Sequence, residues 1–251
     1  MKDNFSNQAD LYAKYRPSYP QSLIQEIFSH CKERQLAWDC ACGNGQISAM
    51  LSDTFEKVFA SDISQNQIDH AIQKPNISYH IEKAENSSLK DTSIDLIIVA
   101  QAIHWFHFDE FYKEVRRVLK PNGLVAVLGY GLFTSIPEVD EIIQRFYVKV
   151  VGDYWDPERR YLDEKYESIP FPFNEIKTEK HYTKLKWSVD DILGYINTWS
   201  AIQNYINKNG NNPSSMIEAD LIKAFNGASK IEISIEIFTK VGAKLNESAL
   251  I

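Results

Sequence analysis

The stretch Leu36-Ala37-Trp38-Asp39-Cys40-Ala41-Cys42-Gly43-Asn44-Gly45-Gln46 decides how the rest of the chain is read. A short apolar run ends in an acid and small residues, passes through Gly-x-Gly, and leads into a helical pattern. The spacing predicts a buried strand over 36–40, a tight turn at Gly43 and Gly45, and a helix over 46–55. Glycine suits such a turn because the backbone must bend sharply and let a ligand lie against it. The first N–H groups of the helix point back at that ligand. The stretch therefore reads as a ligand cradle at the carboxyl end of a strand in an α/β sheet.

Outward from the cradle, Lys57-Val58-Phe59-Ala60-Ser61-Asp62 is a second strand ending in an acid, some 17 residues past Gly45. An acid there is placed to accept hydrogen bonds from ribose hydroxyls, so Asp62 and its neighbour Ile63 are candidate nucleoside contacts. Ser64-x-x-Gln67 caps the next helix, and 77–81 is a third strand. Residues 93–100 form a near-continuous apolar strand, as expected in the middle of a parallel sheet, with Gln101 at its carboxyl end. A helix over 108–119 is stopped by Lys120-Pro121-Asn122-Gly123, and 124–129 is a fifth strand. A nicotinamide or flavin dinucleotide would prefer Gly-x-Gly-x-x-Gly; here Ser48 holds the third position. The turn alone leaves the nucleoside open.

The pattern Asp39-x-x-Cys42-Gly43-x-Gly45 resembles motif I of the class I S-adenosylmethionine (SAM)-dependent methyltransferases, with Ala41 where the first glycine usually stands. The run Val115-Arg116-Arg117-Val118-Leu119-Lys120-Pro121-Asn122-Gly123, spaced after the two acids, extends that resemblance over residues 36–130. It implies a Rossmann-like, seven-stranded, mostly parallel sheet with helices on both faces. It also implies a SAM site built from Asp39, Ala41, Gly43, Gly45, Asp62, Ile63 and Gln101, with Ala84 and Glu85 where this family holds adenine. Three further segments resemble the trans-aconitate methyltransferase-type subfamily: Tyr12-x-x-Tyr15-Arg16-Pro17-x-Tyr19-Pro20, Ala102-Ile103-His104-Trp105-Phe106 and Thr198-Trp199-Ser200. That subfamily implies a small carboxylic acid as methyl acceptor. A nicotinamide oxidoreductase and a SAM-binding protein without turnover are the rival readings.

The N-terminal aromatic segment either packs on the fold or closes over the cofactor as a lid, with Tyr12 and Arg16 as cofactor contacts and Tyr19 near the substrate. A first helix is expected to open at Ser18, with Gln21 completing a capping box. Residues 132–230 exceed a minimal fold. A helix over 139–150 and an aromatic loop precede a sixth strand over 175–187. Ser188-x-x-Asp191 caps a helix carrying Ile192, Tyr195, Trp199 and Ile202; another helix runs over 213–225. Residues 230–241 alternate as a last strand, antiparallel at or near the sheet edge. The whole 1–251 reads as one domain: lid and first helix (1–35), SAM-binding core (36–131), sixth strand and cap (132–230), last strand and tail (231–251). The helical, aromatic cap over the strand carboxyl ends would enclose a small molecule.

Methyl transfer to a carboxylate needs no base, because the acceptor is already ionised near neutral pH. It needs a clamp, and arginine's planar fork suits one. Arg159 and Arg160 are the candidates, with Trp105 as pocket wall and Arg16 a further cation. His104 is the histidine placed to act as a base if the acceptor must lose a proton.

Composition bounds the rest. A net charge of −7 argues against binding through phosphate neutralisation, so nucleic acid is not an expected partner. No apolar run approaches the roughly 20 residues of a membrane span, and no signal peptide is visible. Three cysteines suggest no disulfide framework, and Cys40-x-Cys42 lacks the second pair of a zinc site. The expectation is a cytoplasmic enzyme, monomer or homodimer, without a metal.

Overall fold

The computed structural model describes residues 14–244. Five parallel strands come from the predicted apolar runs: β1 (Leu36–Cys40), β2 (Lys57–Asp62), β3 (Ile77–Ile81), β4 (Ile94–Ala100) and β5 (Leu119–Tyr130). Between them run the helices α1 (Gln21–Ser29, ahead of β1), α2 (Gln46–Ser52), α3 (Gln65–Asp69) and α4 (Phe108–Val118). The last strand, β8 (Ile231–Ala243), lies antiparallel beside β5. It carries on its other edge β6 (Asn174–Ile176) and β7 (His181–Trp187). The sheet order is β3-β2-β1-β4-β5-β8-β6, with β7 also on β8. Seven positions across the sheet match the expectation. The single sixth strand does not: the chain leaves β8 between β6 and β7, so two short strands share one position.

Strand β4 is buried along nearly its whole length, which is why its sequence does not alternate. Apolar side chains pack on both sides of the sheet. One cluster joins α1 and α2 to β1 and runs on into the cap through Phe146, Tyr195, Trp199 and Ile202. The other lies under α4 and takes in Leu162 and Tyr166.

Several boundaries differ from the sequence reading. The capping box at Ser18 does not form; Pro20 occupies the cap position in an extended conformation without a side-chain cap. Proline biases the residue before it toward extended backbone, so the helix cannot begin earlier. The Ser18 carbonyl instead accepts a hydrogen bond from Thr183 Oγ1 of β7 at 2.9 Å. Residues 120–123 are not a free turn, because β5 begins at Leu119 with a bulge opposite β4 and Asn122 at φ 63°. The helix expected over 139–150 is α5 (Pro137–Arg145), which passes into a π-helical turn, Phe146–Val150.

The helix opened by Ser188 does form its capping box with Asp191. It divides, however, into α7 (Val189–Ile196) and α8 (Ser200–Asn209), after the short α6 (Arg160–Asp163) and before α9 (Ser215–Ala224). The break leaves the Thr198 carbonyl outside the helical ladder, where Arg16 donates to it at 3.1 Å. Close packing brings that N-terminal segment in: a Cβ on Gly194 of α7 would lie 2.4 Å from the Tyr15 ring. Only glycine at 194 lets the aromatic ring lie against the helix. No helix among the described residues is long and apolar enough to cross a membrane.

Candidate active site

The turn after β1 has the backbone that its sequence predicts. Ala41, Gly43 and Gly45 all lie at positive φ, at 58°, 51° and 77°. The alanine accepts a left-handed conformation that costs roughly 1 kcal/mol without glycine's freedom. Gly45 has no alternative: its Cβ would sit 2.3 Å from the Tyr79 hydroxyl, which is fixed by its bond to the Ile72 carbonyl.

The two strand-end acids hold this turn. Asp62 Oδ2 accepts from Gly43 N at 2.8 Å and Oδ1 from Ser64 N at 2.9 Å. Its carboxylate thus fixes the cradle. Ile63 beside it is half-buried. Asp39 is 1% exposed. Its Oδ2 accepts from Ser48 Oγ at 2.5 Å, so the serine at the third-glycine position anchors the first acid. Asp39 Oδ1 is buried without a hydrogen-bond partner among the described residues. Burial raises the Asp39 carboxyl to about 7, against the lowering effect of Ser48.

Above the turn lies a cleft of about 470 Å³. Asp39, Ala41 and Gly43 form one wall, Arg16 and Tyr19 the other, and Gln101 and Tyr130 the end. The Gln101 amide is tied to the end of β5, donating to the Tyr130 carbonyl at 3.0 Å and accepting from Tyr130 N at 2.9 Å. Ala84 is buried, and the Glu85 carboxylate accepts from His107 N at 3.0 Å, at the cap position of α4. Tyr12 lies outside the described residues. An orphaned buried carboxylate oxygen and a left-handed, side-chain-poor turn fit a nucleoside ligand that carries a cationic group.

A second, smaller cavity adjoins the first, sharing Arg16 and Gln101 with it. His104, Trp105, Trp155, Arg159 and Leu162 complete most of its wall. Trp155, Arg159 and Leu162, from the segment after β5, thus lie beside Gln101 at the carboxyl end of β4. Arg159 is held flat, its guanidinium 4.6 Å from the Trp155 ring centre and 5.3 Å from that of Tyr147. Its Nε donates to the Tyr147 hydroxyl at 2.7 Å and to Asp163 at 3.3 Å. These are its hydrogen bonds among the described residues, and they leave both terminal NH₂ groups unused. Trp155 Nε1, on the same wall, is a buried donor without a partner.

Three of the expected roles need correction. Arg160 does not join the cavity; it is exposed and packs on Tyr161, 4.7 Å from the ring centre. The turn Pro157–Arg159 delivers one arginine inward, and the next residue starts α6 facing out. His104 reaches the cavity but is a poor base. Burial, with the charges of Arg159 and Arg16, lowers it to about 3. Its Nδ1 pairs with the Tyr166 hydroxyl at 2.9 Å. Tyr19, expected near the substrate, lies on the cofactor-side cleft against Tyr130.

Tyr130, Tyr147, Asp163 and Tyr166 escaped the sequence reading. Tyr130 was within reach, as the last residue of an evident strand. Tyr166 sits at φ 63° in an irregular loop, and no local pattern marks it. Burial raises the thiols of Cys40 and Cys42 well above the ordinary range. Among the described residues no cluster could hold a metal ion.

The family profile of the methyltransferase domain matches residues 38–127, from β1 to β5. A Dictyostelium discoideum protein named as a methyltransferase is 34% identical over 96% of this chain and 95% of its own length. A Mycobacterium tuberculosis protein named as a methyltransferase is 30% identical over 70% of this chain and 68% of its own. A solved structure from Anaeromyxobacter dehalogenans, described as a type II methyltransferase, superposes with a TM-score of 0.84. It is 35% identical and covers 91% of this chain and 98% of its own. The chain belongs to the methyltransferase family, as a class I SAM-dependent enzyme. Its cofactor is S-adenosylmethionine.

Proposed function

We propose that this enzyme methylates a carboxylate oxygen of a small organic acid, the acceptor class that the trans-aconitate-type segments imply. One observation carries the reading: the Arg159 guanidinium is fixed through Nε and faces the second cavity with both NH₂ groups unused. Two parallel donors in a fixed plane match a carboxylate. Trp155 Nε1 adds a third unused donor.

The cofactor, bound on the glycine turn, supplies an electrophilic methyl group on a positive sulfur. The chain's own residues do the rest. Asp39, Asp62 and Gln101 hold and orient the nucleoside end, and Arg16 sits where the two cavities meet. Arg159 orients the ionised acceptor, whose oxygen is nucleophilic without a base. His104, neutral at physiological pH, fills the wall and holds Tyr166 instead of taking a proton. Trp105 and Trp155 exclude water around the reacting atoms.

Replacing Arg159 tests the clamp. A charge-assisted hydrogen bond is worth about 1.5–3 kcal/mol, so Arg159→Met should lower kcat/KM for a carboxylic acid acceptor about 10–100-fold. S-adenosylhomocysteine should still raise the melting temperature as in the wild type. An unchanged kcat/KM would remove Arg159 from the acceptor site.

A further inference from the structure

Behind the acceptor cavity lies a larger cleft of about 810 Å³, between the end of β5, the π-helical turn, α6 and β8. Leu162 is 4% exposed and lines both. Beside it, Tyr147 and Asp163 face the outer cleft while holding Arg159 of the inner cavity. The two clefts thus meet at Leu162, and a hydrogen-bonded trio of Arg159, Tyr147 and Asp163 stands beside it. The outer cleft presents Leu132, Leu162 and Phe238 together with the Tyr147 ring. The Lys165–Glu236 ion pair, at 2.7 Å, stands on its solvent side. Tyr147 lies within the π-helical turn, and such turns concentrate at functional sites.

We infer that the outer cleft is a distal acceptor subsite, and that the preferred acceptor is an amphipathic carboxylic acid. Its carboxylate lies on Arg159, and its apolar arm passes Leu162 into the outer cleft. The assignment rests on the carboxylate reading of the inner cavity and adds the arm. An apolar arm suits the wall: each methylene buried there strengthens binding about fourfold. The ion pair at the mouth places charge where the arm ends at water.

Gly131 gives a direct test, because it lines the outer cleft and not the inner cavity. A Cβ there would meet nothing within 4 Å, so Gly131→Leu fills the cleft without a backbone clash. The experiment measures kcat/KM for straight-chain monocarboxylates from butanoate to decanoate, with the S-adenosylhomocysteine-induced melting shift as the folding control. Wild type should gain at least tenfold along the series. Gly131→Leu should erase that gain while keeping the butanoate rate and the melting shift. A flat wild-type profile, or an unchanged profile in Gly131→Leu, overturns the subsite. If no acid of any length is methylated while S-adenosylhomocysteine still shifts the melting point, the carboxylate reading fails first and the subsite falls with it.

Discussion

Single residues decide more of this site than their neighbourhood in sequence suggests. Arg159 and Arg160 are adjacent and chemically alike, yet one is pinned in the cavity and the other lies on the surface. Nothing in the local pattern separates them; the direction of one short turn does. Asp39 was legible as a strand-end acid, but its orphaned oxygen was not, because that depends on what Ser48 and the cleft leave over. The same residue predicts an unusual pH response. Its carboxyl titrates near 7 in the folded protein and near 3.9 when unfolded. Between about pH 4 and 7 the native state holds a proton that the unfolded chain has released, so this contribution to stability falls as pH rises. It is present in full below about pH 4. Urea unfolding of the ligand-free protein at pH 4.5, 6 and 7.5 checks this. Relative to Asp39→Asn, the wild type should lose up to about 4 kcal/mol across the window. A constant difference between the two proteins would show that Asp39 is not proton-coupled.

At the level of elements, periodicity reveals type more securely than ends. Strands β1 to β5 follow from apolar runs, and the capping box at Ser188 follows from spacing. Ser188 Oγ accepts from Asp191 N at 3.2 Å, and Asp191 Oδ2 accepts from Ser188 N at 2.9 Å. Losing such a cap costs about 1 kcal/mol, which lowers the melting point of a chain this size by about 2–4 °C. Ser188→Ala should show that loss with an unchanged melting shift on S-adenosylhomocysteine, since Ser188 lines neither the cofactor cleft nor the second cavity. An undiminished melting point would mean that the cap adds nothing in this context. Elements whose ends answer to distant partners were less legible. The split of α7 from α8 serves Arg16, and the π-helical turn after α5 carries the Tyr147 that pairs with Arg159. Both need knowledge of which segments meet across the sheet.

For the whole molecule, the mostly parallel sheet and the cradle were readable because the cofactor half is written in contiguous motifs. The acceptor half is assembled from residues as distant as Arg16, His104, Arg159 and Ser200. Its chemistry appears only once those residues meet. The central claim joins the halves: a methyl group moves from SAM to a carboxylate on Arg159. The most direct measurement incubates the protein with methyl-labelled SAM and small carboxylic acids of graded chain length, then treats the product with mild alkali. Carboxyl methyl esters release their label as methanol under alkali, whereas methyl ethers and methylamines keep it. Alkali-labile label, reduced about 10–100-fold in Arg159→Met, is the predicted result. Label that survives alkali, or transfer only to phenols or amines, would contradict the account.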